Sequence, residues 1–110
     1  MKFLMLVCRD ESIPFTTEDI GAEVEAWASE MEERGVRLQG AVFAPVSATA
    51  TVSVRDGETR VDRGPRVEMD VPAAGFNLLE CADLDEAIEA SAQHPMARFG
   101  VLELRPFADG

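Results

Sequence analysis

The chain has 110 residues, 46% of them hydrophobic and 28% charged, a composition that predicts one globular domain over residues 1–110. The formal net charge is −11, from 21 acidic and 10 basic residues, with no run of Lys or Arg that could neutralise a row of phosphates. The lack of such a basic run argues against nucleic acid as a partner. No apolar run approaches the roughly 20 residues that cross a bilayer, so we do not expect a membrane as a partner either.

The first predicted element is a strand at residues 2–8, which is apolar on both of its alternating faces. This pattern is typical of a strand that is covered on both sides. The segment carries a single Lys and no small-residue cleavage site, so we read it as a buried strand of a cytoplasmic protein.

The two cysteines, Cys8 and Cys81, lie at the ends of predicted strands with neither redox nor metal-ligand spacing. We expect both to be reduced and buried, because free cysteine is among the most buried residue types. A disulfide or a nucleophilic role remains the alternative.

A first helix is predicted to begin at Thr16 or Thr17, either of which can cap it, and to end at Gly35 in the left-handed conformation. Its apolar stripe consists of Ile20, Val24, Trp27, Ala28 and Met31. A strand follows at residues 36–43. Regular alternation would place on one of its faces Val36, Leu38, Gly40 and Val42.

Residues 49–55 alternate small polar and apolar side chains and precede Asp56-Gly57, a tight-turn dipeptide. They predict a β-hairpin that returns through residues 59–62. Residues 63–74 contain two prolines and little periodicity, so we expect the longest loop there, with a short edge strand at 67–71 as the alternative.

The C-terminal third predicts a strand, a capped helix and a strand. The first strand, residues 75–81, is again apolar on both faces, and Asp83 with Glu86 forms a capping box. The predicted buried stripe of this second helix is Leu84, Ala87, Ile88 and Ser91. The last strand, residues 99–105, carries Glu103 and Arg105 on one face.

Two strand-helix-strand halves with a hairpin between them predict an α+β fold, a ferredoxin-like sandwich with an inserted β-hairpin and both helices on one side. The other side of the sheet would then be bare, although two of its strands are apolar on both faces. A second copy of the chain, packed sheet against sheet, is the simplest cover, so we predict a homodimer.

The whole chain resembles the YCII-related family, in the branch called the DGPF domain. The segments that carry the resemblance are residues 1–7, Gly35 with Leu38-Gln39-Gly40, residues 83–87, His94-Pro95 and residues 100–106. The resemblance implies a dimeric ferredoxin-like α/β barrel. It also implies a regulatory context with a protein partner, because genes of this branch often lie beside genes for extracytoplasmic-function sigma factors.

The chain departs from the motif that names this branch. Where the family has Asp-Gly-Pro-Phe, this chain has Arg63-Gly64-Pro65-Arg66, with Asp62 one position before the expected acid. The glycine and proline that shape the turn are kept, whereas two cations replace the acid and the aromatic residue.

Some relatives are suspected enzymes because a His-Asp pair faces the barrel cleft, with the His in or near the first helix. The histidine of this chain is instead His94, before Pro95. There we expect a residue that caps the C-terminus of the second helix, whose dipole favours the protonated ring.

Two functional hypotheses follow. The first is a non-catalytic accessory or small-molecule-binding domain. The alternative is a cofactor-independent enzyme in which Asp62 or His94 moves a proton and Arg66 or Arg105 holds a small anionic substrate. Glu103 would join Arg105 in ligand binding, or the two residues would form a same-strand ion pair or a dimer contact.

The sequence predicts neither a cofactor nor a metal. It contains no Gly-rich phosphate loop, and its one histidine has no metal-ligand spacing around it.

Overall fold

The computed structural model describes residues 1–14, 17–64 and 72–109, with the backbone alone at residues 17–19. The predicted cap Thr16, the candidate Arg66 and the alternative edge strand at 67–71 lie outside the described residues. The elements confirm an α+β architecture. They are β1 (Lys2–Arg9), α1 (Thr17–Glu33), β2 (Arg37–Val42), β3 (Ala50–Arg55), β4 (Glu58–Arg63), β5 (Ala73–Glu80), α2 (Leu84–Ala92) and β6 (Gly100–Pro106), with short 3-10 helices at Val46–Ala48 and Pro95–Arg98.

The main sheet has four strands in the order β2-β5-β1-β6, and every neighbouring pair is antiparallel. It follows that β1 is parallel to β2, and β5 is parallel to β6. Each of these parallel pairs is joined by a helix that crosses over the strand between them. Since such crossovers are almost always right-handed, the two interleaved units place α1 and α2 on the same face of the sheet.

The inserted hairpin, β3 with β4, forms a separate two-stranded sheet. Its turn residues Asp56 and Gly57 have φ values of 52° and 79°, as a hairpin turn of this kind requires. The hairpin and its turn are therefore where the sequence predicted them. Within the described residues, no helix is both long and apolar enough to cross a membrane.

The core lies between the helices and one face of the main sheet. Phe3 and Met5 of β1 are fully buried there, and Leu79 of β5 lies directly across from Phe3. Trp27 and Met31 of α1 close the core from above, as the helical stripe predicted. Trp27 also links the two helices, because its indole Nε1 donates a hydrogen bond to the carbonyl oxygen of Ala90 at 2.9 Å.

The second helix buries smaller side chains than predicted. Ala87 and Ala90 are fully buried, whereas the predicted core residues Leu84 and Ile88 are 49% and 50% exposed. The burial predicted from the hydrophobic pattern is therefore wrong at Leu84 and Ile88. Small residues instead face the sheet and let α2 approach it closely enough for Ser91 Oγ to reach Met5 Sδ at 3.3 Å. A larger residue on this face would hold the helix away from β1.

The predicted capping box is present with one change. The carboxylate of Asp83 accepts the backbone N–H of Glu86 at 2.9 Å, as expected for an N-cap. The Glu86 carboxylate reaches back to the N–H of Ala82 at 2.9 Å, one residue before the cap. Both bonds satisfy donors at the start of α2.

The opposite face of the main sheet carries half-buried apolar side chains, and no described helix packs on it. They include Leu4, Leu6, Phe76 and Leu78. Phe76 also stacks on Phe43, with ring centroids 6.1 Å apart.

Both cysteines are free and buried, as predicted. Burial raises the pKa of the Cys8 thiol, with a smaller effect from the negative charge of Glu103. Burial is also the main cause that raises the pKa of Cys81. The thiol forms are therefore favoured over the thiolates.

Two glycines predict opposite effects of the same substitution. A Cβ at Gly100 would overlap the carbonyl group of Cys8, whereas a Cβ at Gly21 in α1 would meet nothing within 4 Å. We expect Gly100→Ala to lower the free energy of unfolding by about 1–3 kcal/mol through overpacking. Gly21→Ala should raise it by about 0.5–1 kcal/mol, because alanine favours the helix. Urea denaturation measures both, and a Gly100→Ala variant as stable as the wild type or more stable would contradict the close backbone approach at Gly100.

Candidate functional site

A cavity of about 460 Å³ lies between α1 and the helix-facing side of the main sheet. Its volume is in the range of small-molecule sites. The wall formed by α1 consists of Ile20, Gly21, Val24, Trp27 and Ala28. The mouth is open to solvent beside Val42, which is 87% exposed. Most of the lining is apolar, and a few polar groups gather along the sheet.

Arg37 lines this cavity because β2 contains a β-bulge. Arg37 pairs with Leu79 and Gln39 pairs with the adjacent Leu78, so Leu38 is the extra residue. The bulge places Arg37 on the same face as Gly40, although regular alternation would put them on opposite faces. The predicted alternation of β2 is therefore wrong at Leu38, which is half exposed. Bulges commonly re-aim a side chain in this way.

The Arg37 guanidinium is held at two points. Its Nε donates to Asn77 Oδ1 at 2.7 Å, and its Nη1 donates to the Glu32 carboxylate in a close ion pair. Gly40 lies directly across from Asn77 in the sheet. A Cβ at Gly40 would overlap both Asn77 Oδ1 and an Arg37 Nη atom, so this arrangement requires glycine at position 40.

His94 lines the same cavity and is only 4% exposed. Its Nδ1 accepts the backbone N–H of Met96 at 3.0 Å, which caps the 3-10 helix that follows. Its ring contacts Trp27 edge to face, with centroids 4.6 Å apart.

Burial, followed by the positive charge of Arg37, lowers the pKa of His94 to about 4. The ring is therefore neutral at pH 7, with its proton on Nε2 because Nδ1 is an acceptor. The prediction that His94 is a protonated cap at the C-terminus of α2 is therefore wrong. His94 instead caps the 3-10 helix that follows, and the effect of desolvation on its pKa outweighs that of the helix dipole.

The charged side chains of the described cavity lining are both arginines. They are Arg9 and Arg37, and the described lining contains no Asp or Glu side chain. Glu32 pairs with Arg37 from outside the lining, so what the cavity wall offers an anion is guanidinium N–H donors, in a chain whose net charge is −11. Among the described residues, no three His, Cys, Asp or Glu side chains are grouped to hold a metal ion.

Of the candidates named from the sequence that the structure describes, His94 alone lines this cavity. Asp62 lies on β4 of the hairpin, across from Thr51. Glu103 and Arg105 lie on β6, across from Leu6 and Leu4, and so on the opposite face of the main sheet. Arg105 Nε donates to Glu103 Oε2 at 2.9 Å, which is the same-strand ion pair that the sequence offered as their simpler role. Arg66 lies outside the described residues.

Sequence reasoning missed Arg37 and Asn77. A signal for Asn77 was present, because it is the polar residue within an otherwise apolar stretch of β5 and is buried. A buried amide needs hydrogen-bond partners, and it therefore points to a polar neighbour. The sequence contains no comparable signal for Arg37, because its position depends on the bulge.

Comparison with known proteins gives a family. The model of the YCII-related domain matches residues 1–109. A protein of Rhizobium meliloti (strain 1021), named only as uncharacterized, is similar to this chain at 31% identity, over 98% of the chain and 93% of that relative. These matches extend over nearly all of the residues that form the fold and the cavity.

The buried His94 predicts a specific pH dependence of stability. Unfolded histidine binds a proton below about pH 6.5, whereas the folded ring does so only below about pH 4. Between these values the unfolded state holds more protons, so stability falls as the pH falls, by up to about 3 kcal/mol. The full contribution is present above the unfolded pKa.

His94→Asn should remove this component, because the Asn side chain can still accept the Met96 N–H but does not titrate. Urea denaturation from about pH 7 to about pH 4.5 compares the variant with the wild type. The carboxylates common to both proteins cancel in the difference. Parallel pH profiles for the two proteins would show that His94 is not held neutral by the fold.

Proposed function

Because the chain belongs to the YCII-related family, we propose that it is a homodimeric, small-molecule-binding member of that family, whose ligand occupies the cavity between α1 and the main sheet. The single observation that carries this proposal is the cavity of about 460 Å³, apolar over most of its lining and bounded at one end by a guanidinium held in place. An apolar pocket with a few converging polar groups is the usual form of a ligand site.

The fixed guanidinium supports binding because little entropy is lost when a ligand contacts it. Arg37 is already oriented by Asn77 and by Glu32 before any ligand arrives. A flexible arginine would lose rotamer freedom on binding, at a cost of about 0.5–1.5 kcal/mol. Gly40 supports the same arrangement from the sheet.

Binding without catalysis is favoured over the enzyme alternative by the state of His94. A pKa of about 4 makes the ring a poor base at pH 7, and its Nδ1 already accepts the Met96 N–H. The described lining offers no carboxylate as a proton partner, and Asp62 lies on the hairpin instead. The polar groups of the cavity are therefore suited to orient a ligand, and less suited to move a proton.

The sheet supports a ferredoxin-like assignment. Numbered along the chain, the four strands of the main sheet, β1, β2, β5 and β6, follow the spatial order 4-1-3-2. This order, with a helix after the first and third of these strands, is that of the split βαβ fold. The apolar side chains on the opposite face support a second copy packed sheet against sheet, as in a dimeric α/β barrel.

Filling the cavity tests the ligand site. Ala28 lines the cavity, whereas Ala22 on the same helix is exposed and provides the matched control. Small apolar acids, alcohols and amines would be screened by thermal shift against the wild type. A ligand present at 100 times its Kd should stabilise the protein by about 2.7 kcal/mol. We expect Ala28→Phe to lose this stabilisation and Ala22→Phe to keep it; a screen without a stabilising compound, or equal binding by Ala28→Phe, would contradict the proposal.

The dimer is tested by placing a charge on each side of the sheet. Leu78→Glu puts a carboxylate on the uncovered face, where burial against a second copy would leave it unpaired. Leu84→Glu makes the same change on α2, where the side chain is half exposed. Sedimentation velocity at micromolar concentration should give a dimer for the wild type and for Leu84→Glu, and a monomer for Leu78→Glu. A monomeric wild type would refute the dimer.

A further inference from the structure

We propose that the ligand of this cavity carries a carboxylate on an apolar body, because the side chains at the Arg37 end have their acceptor atoms engaged within the protein and offer only donors. This inference rests on the proposed function and specifies the chemical class of the ligand. It follows from the hydrogen bonds of Arg37, Asn77 and His94.

Arg37 can only donate. A guanidinium has five N–H groups and no acceptor. Its Nε and Nη1 are directed to Asn77 and Glu32. Its Nη2 lies next to Gly40, on the helix-facing side of the sheet that forms the cavity floor. Nη2 therefore remains as a charged donor for a ligand.

Asn77 is fixed with its donor group away from Arg37. Because an arginine nitrogen cannot accept, the amide atom that faces Arg37 Nε must be the oxygen. This oxygen is packed against Gly40, where no space exists even for a methyl group. The Nδ2 group, with its two N–H donors, is consequently the polar part of Asn77 that a ligand in the cavity can meet.

His94, like Asn77, is left with a donor and no free acceptor, in this case by its hydrogen bond with Met96. Its Nδ1 accepts the Met96 N–H, so this nitrogen cannot carry a proton. In the neutral ring the proton then belongs to Nε2, which is a donor. The nearby Arg37 charge supports the neutral state, since it disfavours an imidazolium.

Three neighbouring side chains thus present donors, and one of them is permanently charged. A carboxylate is the complementary group, since it is an acceptor through both oxygens and forms charge-assisted bonds with arginine. An amine would place donors against donors. A dianionic phosphate would bring a second negative charge into a largely apolar cavity, with a larger desolvation cost. Val24, Ala28 and Met96 provide apolar surface for the rest of the ligand.

Matched sets of compounds test this inference on the wild-type protein. Octanoate, octanol and octylamine share one apolar body, and phenylpropanoate, phenylpropanol and phenylpropylamine share another. Isothermal titration calorimetry at neutral pH should show, in at least one set, the carboxylate binding tighter than the alcohol by about tenfold or more, and the amine weakest. If the alcohol or amine of the set that binds matches its carboxylate, the inference is wrong and the proposed binding function stands. If no compound of either set binds, the proposed function fails, and the inference fails with it.

Two variants test whether Asn77 and Arg37 cause the preference for a carboxylate. Asn77→Asp keeps a partner for Arg37 but replaces the amide donor with a carboxylate oxygen, so octanoate or phenylpropanoate should bind about tenfold or more weakly while the alcohol changes little. If this variant does not fold, Arg37→Gln gives the same comparison, with the exposed hairpin residue Arg60→Gln as its matched control. Unchanged carboxylate affinity in a folded Asn77→Asp or Arg37→Gln variant would overturn the inference.

Discussion

The central strand β1 carries apolar side chains on both of its faces, and the rest of the molecule is organised around this constraint. On one face Phe3 and Met5 are fully buried beneath the two helices. On the other face Leu4 and Leu6 lie among apolar neighbours of β5. Because both crossovers deliver their helices to the same side, the described chain covers one face and leaves the second to the sheet alone. In the proposed dimer, a second copy of the chain would cover this second face.

The cavity lies on the helix-covered face of the main sheet, between α1 and the strands. Large side chains such as Met31 and Leu79 fill one part of the space between α1 and the sheet, whereas Gly75 lines the cavity and Gly40 lies beside the Arg37 side chain of its wall. Both glycines are required by their neighbours, since a Cβ at Gly75 would lie 2.6 Å from the carbonyl oxygen of Ala41. At both positions glycine permits the close approach of the neighbouring groups.

The cavity differs from the rest of the chain in the charges of its side chains. The chain as a whole is strongly acidic, yet the charged side chains of the described lining are Arg9 and Arg37, and Glu32 pairs with Arg37 from outside the lining. The Arg37 charge also helps to lower the pKa of His94, so the cavity holds a neutral imidazole where an exposed histidine would be partly protonated. A mostly apolar cavity with guanidinium donors in its wall thus lies within a strongly acidic chain, which suits the proposed site to an acceptor group.

Much of the fold was predictable because its signals are local. The double-sided apolar pattern of β1, the left-handed Gly35, the Asp56-Gly57 turn and the cap at Asp83 all depend on residues close together in the chain. Helix and strand types follow from such periods and caps without knowledge of the neighbours. The α+β class and the inserted hairpin follow from the order of these elements.

The site was less predictable because its residues meet through pairing across the sheet. The sequence named His94, but it could not show that burial keeps the ring neutral, since burial depends on α1 packing over it. It placed Glu103 and Arg105 on one face of a strand, and the register then assigned that face to the side away from the cavity.

Arg37 shows the difference most directly. The alternation of side chains assigned it to the wrong face, and the bulge at Leu38 reversed the assignment. The sequence by itself determined the elements, their order and the apolar faces of β1. Tertiary structure decided which polar groups share the cavity, because strand register and bulges are set by pairing between segments that are distant in the chain.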